Sequence, residues 1–234
     1  MSERFFLDQP PVAGEVTFDE AESQHLAKVM RANVGDMVVG FDGVGIEYQI
    51  ELISVGKKKV IGTVRQQEEV SREAARQLTL AVALPKGDRQ RWLIEKCVEL
   101  GVARLIPLLT QRGVAQPVEK AIERLRRAVI EASKQCERNV LMEVAEGQTL
   151  EQVLASQPEV ALMLHPSGDA IQPATIAAAG QVLGIIGPEG GFSEEEVAQA
   201  AAAGCQVVSL GPRILRVETA ALAMASLVTI PPGP

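Results

Sequence analysis

The 234 residues are 47% apolar and 23% charged with a formal net charge of −7, an ordinary globular balance in a chain long enough for one large or two modest domains. Cys97, Cys136 and Cys205 are odd in number and far apart, with no C-x-x-C pair and no His-x-x-x-His spacing, which suggests neither a disulfide framework nor a metal site. The start MSERFFLDQPP has no basic segment leading into an apolar one, and the longest apolar stretch, roughly 220–230, is well short of the ~20 residues that cross a bilayer; a reduced cytoplasmic protein is expected.

The first third reads as a small β-rich unit. RFFLD and EVTFD suggest short strands, and EAESQHLAKVMRA places Leu26, Val29 and Met30 at helical spacing with Gly35 just past the end. The stretch from Asp36 to Gln66 alternates apolar and polar residues and breaks at Asp42-Gly43 and Gly56-Lys57, both hairpin signals. A compact barrel with one helix follows. Gln66 to Gln77, QQEEVSREAARQ, reads as a linker.

Beyond it the pattern changes. LTLAVALP is an apolar strand, and DRQRWLIEKCVELG is a helix turning Leu93, Ile94, Cys97, Val98 and Leu100 inward and closing at Gly101. Trp92 is expected in the core. VARLIPLLT is a strand, and a long helix starts near Pro117. VALMLHP, GQVLGIIGP and CQVVSLGP are buried strands, each followed by a loop and an Ala-rich helix, and the closing PPGP reads as a frayed tail. Strands alternating with helices predict an α/β domain with a mainly parallel sheet.

Charge is unevenly spread: net −4 over 1–72, +5 over 73–138 and −8 over 139–234. A basic middle between acidic ends can present phosphate contacts on one face.

The chemistry concentrates in two loops. IGPEGGFSEEE has neither the lysine of a P-loop nor G-x-G-x-x-G spacing, and Glu189 would repel phosphate. A cationic or zwitterionic ligand tolerates that carboxylate. Ser193 and Glu196 form a capping box at the loop's edge. SLGPRILRVETA ends the next strand with Arg213, Arg216 and Glu218, and no other Lys or Arg occurs after Arg138. Leu162 to Pro166 ends a third strand. Ligands of open α/β sheets sit outside the carboxyl ends of strands, so three such loops on one rim predict a pocket.

IGPEGGFSEEE followed by LGPRILRVETAALAMASL resembles the RsmE family of SPOUT methyltransferases. The resemblance extends to PKGDRQRWLIEKCVELGVARLIPLLTQR, to RRAVIEASKQCERN (with Cys136 where the family pattern has a serine), and to RFF and HLAKVMRANVGDMVVGFDG. It implies a PUA-like RNA-binding β-barrel over 1–72 and a SPOUT α/β domain with a deep trefoil knot over 73–234. It also implies a homodimer joined through the knotted domain, and transfer of methyl from S-adenosylmethionine to N3 of a uridine in the decoding region of 16S ribosomal RNA, in the small ribosomal subunit. Membrane and metal have no part in it. The pocket residues it implies are Leu164, His165, Gly187, Pro188, Glu189, Gly190, Leu210, Gly211, Ile214 and Leu215. Arg216 would support charge on the uridine, with Glu218 as base or as the group positioning Arg216. Arg4, Arg31, Lys86, Arg89, Arg91 and Arg138 are the expected RNA contacts. Two alternatives stay open on sequence: a sister enzyme methylating ribose or tRNA, and a non-catalytic RNA-binding protein.

Overall fold

The computed structural model describes residues 4–113, 119–156 and 158–230. The chain divides into two compact units, Met1–Glu73 with Ile130–Leu141, and Ala74–Val129 with Met142–Pro234.

In the first unit, β1 (Arg4–Phe6), β2 (Glu15–Thr17), β3 (Met37–Phe41), β4 (Ile46–Val55) and β5 (Val60–Glu69) form one sheet in the order β1-β3-β4-β5-β2. β1 runs parallel to β3 and the other pairs are antiparallel. Both expected hairpins are present. Alternation along β4 buries Tyr48, Ile50 and Leu52 against Phe5, Phe18 and Leu26, and Phe5 meets Phe18 edge to face with centroids 5.8 Å apart.

The helix of this unit is two pieces. Asp19 accepts from the Glu22 N–H at 2.7 Å and starts α1 (Glu20–Gln24), which widens into a π-helix over His25–Met30. The wider turn breaks the 3.6-residue period assumed for the stripe. Leu26 is fully buried while Val29 points out at 71% exposure. Arg31, with φ 55°, ends the helix in place of the glycine expected at Gly35. The polar stretch is also shorter as a linker than its composition suggests. Gln66 to Glu69 belong to β5 and pair with β4, because a strand whose faces are wet needs no apolar residues there.

Residues 130–141 supply the unit with long-range polar ties. Lys134 Nζ lies 2.7 Å from Glu22 and 5.7 Å from the centre of the Phe5 ring. Arg138 is 3% exposed and pairs with Glu73. Arg4, 6% exposed, donates to Glu47 at 2.8 Å and to Asn139. This corrects two expected RNA contacts, since buried guanidiniums committed to carboxylates are not presented to phosphate.

The Arg4–Glu47 pair yields a pH prediction. Burial acts to raise the Glu47 carboxyl, but the hydrogen bond and charge of Arg4, with help from Asn139 and Arg72, outweigh it and hold the group below its usual 4.5. A carboxylate lowered on folding stabilises the fold above its unfolded pKa and loses that contribution as pH falls through its folded value. Glu47→Gln, which leaves the buried Arg4 guanidinium without its main counter-charge, should therefore cost about 3 kcal/mol near neutrality. In urea titrations the gap from the parent should close as pH falls through the group's lowered folded value, below the usual carboxylate range.

The second unit is a parallel sheet covered by helices. Its elements are β6 (Gln77–Val82), α2 (Arg89–Glu99), β7 (Arg104–Leu109), α3 (Glu119–Cys136, passing into the first unit from Ile130), β8 (Glu143–Val144), β9 (Gln148–Thr149) and α4 (Leu150–Leu154). There follow β10 (Val160–Ala170), α5 (Pro173–Ala177), β11 (Gln181–Ile186), α6 (Glu194–Ala202), β12 (Gln206–Ser209) and α7 (Val217–Thr229). The strand order is β12-β10-β11-β6-β7-β8, all parallel, with β9 pairing beside β7. β6 and β11 are near-continuous apolar runs, as strands covered on both faces must be. α7 packs against β6, β11 and α2. The α3 start expected near Pro117 and the PPGP tail lie outside the described residues.

Along α2 the buried stripe is Leu93, Ile94, Cys97 and Val98, and Trp92, just off that stripe, is 44% exposed rather than in the core. Burial pushes the Cys97 thiol up to about 12 and the Cys205 thiol up to about 11, so neither serves as a thiolate nucleophile near neutral pH. Among the described residues no helix is long and apolar enough to cross a membrane, and no group of three or more His, Cys, Asp or Glu could hold a metal ion.

Candidate active site

The carboxyl ends of β10, β11 and β12 surround one cavity of ≈ 270 Å³. β10 reaches it through a bulge. Leu164 and Asp169 both register with Val208 of β12, so the four residues between them loop out of the sheet, carrying His165 and Pro166 to the cavity wall. A contact of 2.8 Å between His165 Nδ1 and Ser167 Oγ fixes the imidazole within the bulge.

β11 delivers the glycine loop. Gly187 sits where a Cβ would lie 2.8 Å from the Phe192 ring, so any side chain there would have to push that buried ring aside. The Gly191 N–H closes a turn onto the Pro188 carbonyl at 2.9 Å. The capping box read from the sequence is present, with Ser193 Oγ accepting from the Glu196 N–H at 3.2 Å and Glu196 Oε2 from the Ser193 N–H at 2.8 Å. Arg112, which no sequence signal marked, donates to the carbonyls of Gly190 at 3.0 Å and Phe192 at 3.3 Å and ties down the loop's far side.

β12 ends in the third wall, formed by Ser209 to Gly211, Arg213 to Leu215, and then Val217 and Ala220 of α7. Ile214 is 80% exposed, an unusual setting for a large aliphatic side chain, and it lines the cavity mouth. Thus Leu164, His165, Gly187, Pro188, Glu189, Gly190, Leu210, Gly211, Ile214 and Leu215 all line one cavity.

The two catalytic candidates lie at the start of α7. Arg216 is exposed and is the residue from which the helix starts, with no capping bond from its side chain. Glu218, in the first turn, is 7% exposed; its Oε2 is buried without a hydrogen-bond partner and its Oε1 lies 3.5 Å from Arg89. Arg89 reaches Glu189 as well, at 3.3 Å. Arg89, an expected RNA contact, thus faces two carboxylates beside the cavity. Of the other cations in that set, Lys86, Arg91 and Arg31 are exposed, and Arg91 pairs with Glu95 at 2.7 Å.

A family model described as an RNA methyltransferase domain matches residues 72–229, and one described as an RNA methyltransferase PUA domain matches residues 18–65. The ribosomal RNA small subunit methyltransferase E of Synechocystis sp. is 35% identical over 222 residues, covering 89% of this chain and 71% of that protein. The chain belongs to the RsmE family. The RsmE of Bacillus subtilis is 30% identical over 245 residues, 97% of this chain and 96% of its own. Among solved structures, an RsmE from Neisseria gonorrhoeae bound to S-adenosyl methionine is 29% identical with a TM-score of 0.87, covering 97% of this chain and 96% of that one. A methyltransferase from Legionella pneumophila in complex with SAM is 31% identical with a TM-score of 0.90, covering 97% of both chains.

Proposed function

We propose that this RsmE-family chain transfers methyl from S-adenosylmethionine to N3 of a uridine in the decoding region of 16S ribosomal RNA. The observation that carries the reading is the cavity where the glycine loop and the 209–215 loop meet. Its features fit that cofactor: a glycine backbone that can approach a ligand closely, a nearly bare Ile214 for a flat apolar ring to cover, and a carboxylate in place of a phosphate-binding lysine. Relatives solved with this cofactor align over almost the whole chain.

The cofactor supplies a methyl group on a positively charged sulfur. The protein's task is to make N3 a nucleophile, because the neutral imide nitrogen still holds its proton. Arg216 and the amino end of α7 put positive charge where the uridine anion would develop. Glu218, in the first turn of the same helix, accepts the proton or orients Arg216. Arg31, Lys86 and Arg91 supply phosphate contacts. Residues 1–72 act as the RNA-binding domain and 73–234 as the transfer domain, in a cytoplasmic homodimer. The second domain carries the deep trefoil knot that the family resemblance implies.

The test is methyl transfer from labelled S-adenosylmethionine to small ribosomal subunits lacking their native uridine methylation, followed by digestion to nucleosides. Label in 3-methyluridine is expected. Label in a ribose-methylated nucleoside would keep the cofactor and overturn the target atom.

A further inference from the structure

Arg89 is the first residue of α2, yet its guanidinium is neither free nor matched one to one. Nη2 lies 3.3 Å from Glu189 of the glycine loop, and Nη1 lies 3.5 Å from Glu218 on α7. Two carboxylates share one cation. Only Glu189 of the three lines the cavity, so the charge felt there is a carboxylate partly cancelled by a guanidinium standing behind it. Arg89 and Glu189 are each about two-fifths exposed, which weakens the cancellation but does not abolish it.

Methyl transfer changes the ligand's charge. The donor carries a positive sulfonium; the product left after the methyl departs is a neutral thioether of nearly the same shape. A site that must exchange one for the other has charge as its main handle.

We propose that Arg89 is a specificity-determining positioning residue that sets how strongly the cavity prefers the charged methyl donor to its neutral product. The inference rests on the function proposed above. With Arg89 in place the field of Glu189 is moderated, so the donor is favoured without the product being ejected before the RNA is. Glu218 matters because it shares Arg89 and limits how much of that charge reaches Glu189.

The consequence is a pair of effects with opposite signs. Dissociation constants for S-adenosylmethionine and S-adenosylhomocysteine would be measured by calorimetry at fixed ionic strength for the parent, Arg89→Met, Arg89→Lys and Glu189→Gln, each checked for an unchanged unfolding transition. Arg89→Met should raise the preference for the donor about fivefold, and Glu189→Gln should lower it by about the same factor. Arg89→Lys should stay close to the parent. A merely structural bridge would behave otherwise: both cuts untie the same contact, so both would weaken the two ligands alike. Equal weakening, or shifts of the same sign, would overturn the role given to Arg89. If the parent chain binds neither ligand, the proposed function fails first and this inference with it.

Discussion

Arg216→Met should slow single-turnover methyl transfer to the small-subunit RNA by about 10²–10³-fold while changing donor affinity by no more than about twofold. The side chain is exposed and makes no capping bond, so its removal should shift stability by less than about 0.5 kcal/mol. Its neighbours Leu215 and Val217 both line the cavity, and the rate loss follows from the charge-stabilising role proposed for it. Loss of an interaction made only as the uridine anion forms lowers the rate and spares ground-state binding. The pH profile provides the internal check. Alkali removes the N3 proton in solution, so the variant's rate should climb with pH further than the parent's. Glu218→Gln separates the two roles given to that carboxylate. A base contributes typically 10²–10⁴-fold, so full turnover in this variant when chemistry limits the rate would leave Glu218 a positioning role only. An unchanged single-turnover rate in Arg216→Met would remove charge stabilisation from the mechanism and leave orientation of the two reactants as the main contribution.

What the sequence disclosed follows from the range over which each signal acts. Asp42-Gly43 and Gly56-Lys57 mark hairpins because turn chemistry is local, and both hairpins are present. Ser193 and Glu196 announce a capping box three residues apart, and both of its bonds form. Period-based reading worked for α2 and failed where the period itself changed, at the π-helix that turned Val29 outward. The two-residue strands β8 and β9 are too short for any alternation to register. Charge was the least legible property. Arg4 finds Asn139 across 135 positions and Arg138 finds Glu73 across 65, and nothing in a linear string reveals that a basic residue has a buried partner that distant. The two carboxylates that Arg89 reaches lie 100 and 129 residues away and were hidden for the same reason. The pocket itself was legible from three loops meeting at one rim of the sheet, while its individual lining residues were read through family resemblance. Neither route anticipated the β10 bulge, where the expected strand end at Pro166 is an excursion and Asp169 rejoins β12.

That bulge is the most sensitive joint between fold and site, and Gly168→Ala should expose it. Gly168 is the last of the four looped-out residues, and a Cβ there would lie 2.6 Å from the backbone N and C of Val208 and 2.7 Å from its Cα. Contacts that short must be relieved by moving something, and here the obstacle is main chain held in register with β10 rather than the tip of a flexible side chain. Either β12 shifts away from β10 or the bulge reshapes. The cost should be about 2–3 kcal/mol of unfolding free energy, read from a lower urea midpoint at unchanged slope. Both ways of relieving the clash also move the cavity. Shifting β12 displaces Ser209 to Gly211, and reshaping the bulge displaces His165 and Pro166, all of them lining residues. Affinity for S-adenosylmethionine should therefore fall by at least about tenfold, equivalent to about 1.4 kcal/mol, even under conditions where the variant remains folded. Ala170, at the exposed end of β10, is the control position; Ala170→Ser should leave stability within about 0.5 kcal/mol of the parent. A Gly168→Ala protein with parental stability and affinity would mean that β12 yields freely at Val208, and that the bulge does not fix the wall of the site.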